Sequence, residues 1–444
     1  MTDVRAKNSG ESSLHRSIGP FQLTLYALGS MIGSGIYGLI GKAAGQAGNA
    51  VWLAFLTALA AALLTAMSYA SLGSRYPRAG GAAYVTERAF GSPFFGFMVG
   101  IALVCSGLTS VATQAKIFSA NMLALFSLEA WPPWLCALGF VLFLTGIVFR
   151  GIRESMWVNV ASTLIEAAGL LIVISAGLSF WGSVNYLETP PERAADGLGL
   201  IVLQASVLTF FAFIGFEDAI NVAEECKDPG RTIPIGLASA TVLAALLYVA
   251  IAITVVSVVP WRELSTAPSP LTEVMRRAAP GFPPWIMTAI ALFSVGNTAL
   301  VNYVTASRLV YGMARQGLLP ERLGLVHEVR ATPHIAISVL FVVLVPLILI
   351  GGIGDLAAAT VLLLLIVFLS VNGALFVLKR RSGEPKGMFE IPAFVPALGF
   401  LSCAVLLVTR IASGDGTAPA LALGMIAGAA ALYALVKPDV QTSG

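Results

Sequence analysis

Twelve stretches of this chain stay apolar for about 18 residues or more, and a helix needs about 20 such residues to cross a bilayer. They fall at 20–44, 48–73, 92–126, 132–149, 156–181, 198–222, 233–259, 283–314, 333–351, 354–378, 392–412 and 417–436. Charged residues make up only 11% of the 444 positions. A soluble domain carries about 25%, so this chain cannot clothe a water-facing surface. The chain reads as an all-α polytopic membrane protein with 12 transmembrane helices. The third and eighth runs are long enough to tilt or to project from the bilayer. Residues 1–17 are polar, lack the apolar core of a signal peptide, and read as a soluble leader.

Lysine and arginine set the orientation. With the N-terminus inside, 19 of the 26 fall on the cytoplasmic side and six outside; Lys116 lies within a span. Both termini are therefore expected in the cytoplasm, in keeping with an even number of crossings of a cell membrane. The net charge is +3 and the basic residues are scattered over loops. That distribution argues against a nucleic-acid partner. The four cysteines form no CxxC pair, and the three histidines lie in polar segments or at a span end. No metal or cofactor is expected from them.

The first span contains LGSMIGSGIYG, Leu28 to Gly38, with four glycines in ten residues. Glycine weakens a helix by about 1 kcal/mol relative to alanine. Gly29 and Gly33 form a GxxxG helix-contact pair. Gly33-Ser34-Gly35 favours local unwinding, which a membrane tolerates only where protein or trapped water satisfies the backbone. From this segment alone, packing and unwinding both remain open. The sixth span supplies a counterpart: in LTFFAFIGFEDAINVAEE, Gly215 is followed by Glu217 and Asp218 inside an apolar stretch. Interrupted helices at matching places in two halves point to an inverted-repeat transporter with a site near the midplane. Amides of Gly33, Ser34 and Gly35 at a half-helix N-terminus suit a carboxylate. Carbonyls around Ala212 to Gly215 suit an ammonium. An α-amino acid offers both groups.

These motifs resemble the amino acid–polyamine–organocation (APC) superfamily. The likeness rests on GSGIY in span one, PRAGGAAYVTERAFG (77–91) in the following loop, FFAFIGFED in span six, EECKDPGRTIPIG (224–236) and ASRLVYGMARQGLLP (306–320). The resemblance implies a LeuT-like fold. One five-helix repeat would occupy 18–181, an inverted second 198–378, and two additional helices 392–436. It implies secondary amino acid transport by alternating access, not enzyme activity. By position, Ile32, Gly33, Ser34, Gly35 and Ile36 would line the carboxylate end of the site. Phe210, Phe213, Ile214 and Gly215 would hold the amino group and side chain, with Phe211 as an aromatic gate. The alternative for these phenylalanines is lipid or helix packing.

Glu166 lies about ten residues into span five, roughly 15 Å deep. A bare carboxylate there is costly, so it is expected to be protonated, paired or bound to a cation. The resemblance places a lysine here in several proton-coupled relatives, and this chain departs from that pattern. Glu166 is read either as a carrier of the coupling proton or cation, or as a permanently protonated group bonded to a neighbouring helix. Glu217 either titrates during the cycle or pins the broken helix. Ser106, Thr109, Ser110 and Thr113 give span three one polar face. In span eight, Ser294, Asn297, Thr298 and Thr305 are possible oxygen ligands. Arg75, Arg78 and Arg88 read as topology determinants.

The named pocket residues are apolar apart from Ser34 and backbone groups, which favours neutral amino acids. A cationic amino acid or polyamine would need a carboxylate facing the pocket. A channel or an amino-acid sensor is the alternative of another class. The chain has no GxxxxGK[ST] motif for direct ATP drive, and no HExxH or GxSxG motif.

Overall fold

The computed structural model describes residues 16–78, 80–128, 130–267, 269–350, 352–412 and 417–436. Most of the leader, 1–15, lies outside them. Among the described residues there are seventeen α-helices and no strand, only an isolated parallel bridge between Ile18 and Cys226. The first apolar run is two helices, α1 (Pro20–Met31) and α2 (Ser34–Ala47). Then come α3 (Val51–Arg75), α4 (Gly81–Phe90), α5 (Pro93–Leu125), α6 (Pro133–Arg150) and α7 (Ile152–Gly177). The sixth run is also interrupted. α8 (Gly197–Phe211) and the one-turn α9 (Asp218–Asn221) are separated by turns. The remaining helices are α10 (Pro229–Val258), α11 (Trp261–Thr266), α12 (Pro270–Ala278), α13 (Pro284–Arg315), α14 (His334–Ile350), α15 (Ile353–Arg380), α16 (Phe394–Ala412) and α17 (Thr417–Val436).

Ten helices among the described residues are long and apolar enough to cross a membrane, and His334–Leu349 is a shorter apolar one. α5 has 33 residues, about 50 Å at 1.5 Å each, well beyond a hydrocarbon core of about 30 Å. Proline opens many of these helices, including α1, α6, α10 and α13. It fits there because the first helical N–H needs no intrahelical partner. The PRAGGAAYVTERAFG stretch, read as a loop, instead contains α4. Two further short helices, α11 and α12, occupy the connection between α10 and α13.

The broken elements sit at the centre. α1 packs on α7, α10 and α13, and α2 on α8, while α5 packs on α13 and α15. Leu23, Ile32, Ile36, Ile40, Phe213 and Phe216 are fully buried there. The lipid-facing helices α16 and α17 are far more exposed, as expected where the solvent is itself apolar.

Two of the three arginines read as topology determinants also hold structure together. Arg75 at the end of α3 forks onto Glu390 with bonds of 2.7 and 2.5 Å. The same carboxylate accepts from Lys379 at 2.6 Å and from the Gly387 N–H at 2.9 Å. Arg88 and the Tyr76 hydroxyl both bond Glu384 at 2.7 Å. The loop between α15 and α16 is thereby fastened to α3 and α4. Arg78 instead lies over the Tyr84 ring, 4.9 Å from its centroid.

Partial burial works to raise the Glu390 carboxyl, but the bonds from Arg75, Lys379 and Gly387 outweigh it and hold the group down at about 2. A depressed carboxyl stabilises the fold above the ordinary carboxylate range, and that stability is lost as pH falls through about 2. The pair is about a third exposed on the Glu390 side, so solvent screening limits the effect to about 1 kcal/mol or less. Glu390→Gln is expected to melt below wild type at pH 7, with the gap narrowing from about pH 4 downward. Thermal unfolding of both proteins in detergent measures it.

Candidate binding site at two broken helices

The interruptions differ in length. In the first span only Ile32 and Gly33 separate the two helices. The Ile32 N–H still bonds the Leu28 carbonyl at 2.8 Å. In the sixth, residues 212–217 form successive turns, and Gly215 has φ +126°. Only glycine takes that backbone without strain.

The two breaks rest on each other. A Cβ at Gly215 would lie 2.6 Å from Ser30 Oγ and 2.8 Å from its carbonyl carbon. A Cβ at Gly35 would lie 2.8 Å from the Ala212 Cα. A Cβ at Gly29 would collide with the side chains of Thr163 and Asn297. The glycine cluster therefore serves both purposes left open by the sequence. Gly29 permits close packing, Gly33 lies in the break, and Gly35 follows it in the first turn of α2.

The carbonyls freed by the breaks are met by protein, as a membrane interior demands. The Tyr248 hydroxyl on α10 lies 2.6 Å from the Met31 carbonyl and 2.9 Å from that of Ala212, positioned to donate to either. It thus bridges the last turns of α1 and α8. Ser294 on α13 donates to the Ile32 carbonyl at 2.9 Å. The Ala212 carbonyl, expected to face an ammonium, lies within reach of the Tyr248 hydroxyl, and the Gly215 carbonyl accepts from Asp218 N–H at 3.3 Å.

A cavity of about 40 Å³ lies against the breaks. It holds roughly three water-sized spheres. Ser30, Met31, Gly33 and Gly35 form one wall, and Phe211, Ile214, Gly215 and Glu217 another. α5 adds Ser110 and Gln114, α13 adds Thr298 and Asn302, and α15 adds Thr360 and Leu364. Glu217 folds back so that its carboxylate accepts from the Gly215 N–H at 2.8 Å.

The expected residues divide. Gly33, Gly35, Ile214, Gly215, Phe211 and Glu217 line the cavity, while Ile32, Ile36, Phe210 and Phe213 do not. The Ser34 side chain lies outside the described residues. Phe213 packs edge-on against Phe55 and Tyr248, and Phe210 against Phe368. Phe210 and Phe211 are adjacent in α8, so they face different directions, and only Phe211 points inward. The wall is also more polar than expected. Gln114, Asn302 and Thr360 were not anticipated. Ser110 and Gln114, and likewise Thr298 and Asn302, are four residues apart. That shared helical face was the available signal.

Asp218 turns away from Glu217. It accepts from Ser30 Oγ at 2.6 Å, and Thr305 bonds it as well. Thr305 in turn lies 3.0 Å from the Tyr26 hydroxyl. Glu166 lies outside the cavity, on α7. Its side chain is fully buried, and neither carboxylate oxygen has a hydrogen bond of normal geometry. Its polar surroundings include Asn297, Tyr248 and Tyr37, whose hydroxyl donates to the Glu166 main-chain oxygen at 3.1 Å. Beside it, Asn159 donates to Asn297 at 2.8 Å, and Asn297 to Thr163 at 3.0 Å. This chain of amides and hydroxyls ties α7 to α13 behind α1.

Two interrupted helices packed break to break in a bundle of membrane-length helices define a transporter of LeuT-like fold. The crystal structure of MhsT in complex with L-phenylalanine matches with a TM-score of 0.63, covering 90% of this chain and 100% of that one at 15% identity. A family profile described as amino acid permease matches residues 18–432, and the chain belongs to that family. It is 28% identical over 432 residues to the branched-chain amino acid permease BcaP of Bacillus subtilis (strain 168), covering 91% of this chain and 90% of that protein. The methylthioribose transporter of the same organism is 28% identical over 422 residues, with the same coverages. Cationic amino acid transporter 4 of Mus musculus is 29% identical over 398 residues, 85% of this chain and 62% of that one.

Proposed function

We propose that this chain carries an α-amino acid across the cell membrane by alternating access, coupled to a proton through Glu166. The observation that carries this reading is the cavity at the crossing of the two breaks. The N-terminus of α2 brings the amides around Gly33–Gly35 to one wall, where the helix dipole favours a carboxylate. The Gly215–Glu217 turn, ending on a carboxylate, takes the ammonium. Phe211, Ile214 and Leu364 are left for the side chain, with Phe211 as the lid.

Neutral amino acids are the first choice, because the side-chain wall is apolar and Glu217 is already turned onto the Gly215 N–H. The second reading, a cationic amino acid or polyamine, is supported by Glu217 lining the cavity. The name borne by BcaP favours the first, that of the mouse relative the second. Twelve crossings follow when the ten long helices, α14 and the broken α1–α2 pair are counted together. The first five would form one repeat and α8 to α15 its inverted partner, with α16 and α17 added. The Lys and Arg distribution puts both termini in the cytoplasm.

The test is counterflow of radiolabelled leucine into proteoliposomes, competed by each of the twenty amino acids and by agmatine. Competition by valine and isoleucine supports the first reading, and competition by arginine, lysine or agmatine supports the second. Lack of saturable counterflow with every substrate ends the carrier proposal in favour of a channel or sensor. An inward proton gradient is expected to raise wild-type uptake several-fold, while Glu166→Gln still exchanges but ignores the gradient. A gradient response that survives in Glu166→Gln removes Glu166 from coupling.

A further inference from the structure

A second, larger cavity of about 740 Å³ opens on the face where α1 begins. Its chemistry is unlike that of the central site. Arg16, Arg150, Arg153, Lys227 and Arg330 all border it, against the single carboxylate of Glu154. All five cations are exposed. None of them is in an ion pair among the described residues. Arg330 is held in place over the Phe149 ring, 4.9 Å from its centroid. The first turn of the 26-residue helix α7 also borders the cavity, adding the positive end of its dipole.

The cavity is not polar throughout. Met156, Trp157 and Val160 continue its wall along α7. From the helix start at Ile152 they climb about 6 to 12 Å toward the membrane interior. Trp157 and Phe21 are largely exposed beside it, at 68% and 69%. Aromatic rings at that level mark the membrane–water interface. A cationic floor leading into an apolar wall fits an amphiphile with an anionic head. A soluble anion would make no use of the apolar half.

We infer that this cavity binds an anionic phospholipid, its phosphate among Arg16, Arg153, Arg330 and their neighbours and its acyl chains along Trp157 and Val160. Basic pockets between transmembrane helices on the cytoplasmic side hold such headgroups, and this face is the cytoplasmic one in the orientation proposed above. The position gives the lipid a mechanical role. Ser17 and Ile18 N–H groups bond the Glu225 carbonyl at 2.9 and 3.0 Å, and Lys227 N–H bonds the Ile18 carbonyl at 3.0 Å. Arg16 and Lys227 therefore flank the strap that ties the start of α1 to the segment after α9. A phosphate shared between them bridges both strands of that strap.

Tryptophan quenching tests this with the full chain in nanodiscs of dioleoylphosphatidylcholine. Brominated phosphatidylglycerol or brominated phosphatidylcholine is titrated in, and the Trp157 signal is the difference between wild type and Trp157→Phe. A preference for phosphatidylglycerol of at least about tenfold is expected, since several basic residues converge on the headgroup. The preference is expected to fall to near unity in the triple variant Arg16→Gln, Arg153→Gln, Arg330→Gln. It is expected to persist in Arg380→Gln, which alters a cation outside the cavity. Equal quenching by the two lipids, or a preference that survives the triple variant, overturns the inference. Relief of quenching by millimolar glycerol phosphate also overturns it, since that outcome assigns the cavity to a soluble anion. These readouts need no transport, so they are independent of the substrate proposed above.

Discussion

Gly215→Ala is expected to lower counterflow at least about 100-fold. The residue has φ +126°, a region that costs an L-residue about 1–3 kcal/mol. The added methyl would also stand 2.6 to 2.8 Å from Oγ, Cβ and the carbonyl carbon of Ser30. The last of these is backbone and cannot rotate away. Relief therefore requires the α8–α9 turn, with Gly215 and Glu217 on it, to back off from α1, which opens the cavity wall. Gly35→Ala makes the same argument from the other helix, where the obstacle is the Ala212 Cα at 2.8 Å. Gly139→Ala is the control. It lies mid-helix in α6 with nothing within 4 Å of the new methyl, and is expected to be neutral or stabilising by up to about 1 kcal/mol. Counterflow and thermal melting are measured on all three. Wild-type transport by Gly215→Ala would show that the two breaks need not touch, and the site as built here would lose its frame.

What could be read from the chain alone follows from the range of each physical signal. Apolar length is local and strong, so α5 fills the run read over 92–126 and α13 the run read over 283–314, each within a residue or two. The interruptions were legible because glycines and acidic residues inside an apolar run leave few alternatives. The walls of the cavity were legible only in part. Gly33, Gly35, Phe211, Ile214, Gly215 and Glu217 were named beforehand, but Ser30, Ser110, Thr298 and Thr360 meet there from four helices separated by up to 330 positions, and no local pattern encodes that meeting. Phe213 falls outside the cavity wall in a series of turns over 212–217 that has no helical period to tell which side faces in, and Phe210 lies on another side of α8 from Phe211. α4, α11 and α12 were missed because six to ten residues give too few turns for a period to emerge. Arg308 was counted only as a positive charge at the end of a span, yet its side chain is fully buried.

Arg308→Met is expected to be the most destabilising single substitution outside the central site, by about 3–5 kcal/mol. Arg308 on α13 and Glu225 have side chains with no solvent exposure. Their guanidinium and carboxylate face each other in a fork, Nη2 to Oε1 at 3.3 Å and Nε to Oε2 at 3.4 Å. Arg308 also donates to Ser307 Oγ at 3.0 Å. The two partners lie 83 residues apart in the chain. The main chain of Glu225 carries the strap as well, accepting from Ser17 and Ile18. Removing the arginine leaves a carboxylate enclosed by protein and unpaired, and its desolvation is then uncompensated. Removing both charges does not, so Glu225→Leu with Arg308→Met is expected to recover most of the lost stability. Both fork distances exceed the roughly 2.7–2.9 Å of a tight charge-assisted bond. A loose pair between α13 and the segment after the broken span is one that can part when the basic face opens. The double variant therefore separates two roles, since it restores melting temperature whether or not the pair works as a gate. If the pair is a gate, the double variant melts like wild type yet takes up substrate several-fold more slowly. If Arg308→Met alone melts like wild type, the pair is no clamp, and if the double variant takes up substrate at the wild-type rate, it is no gate.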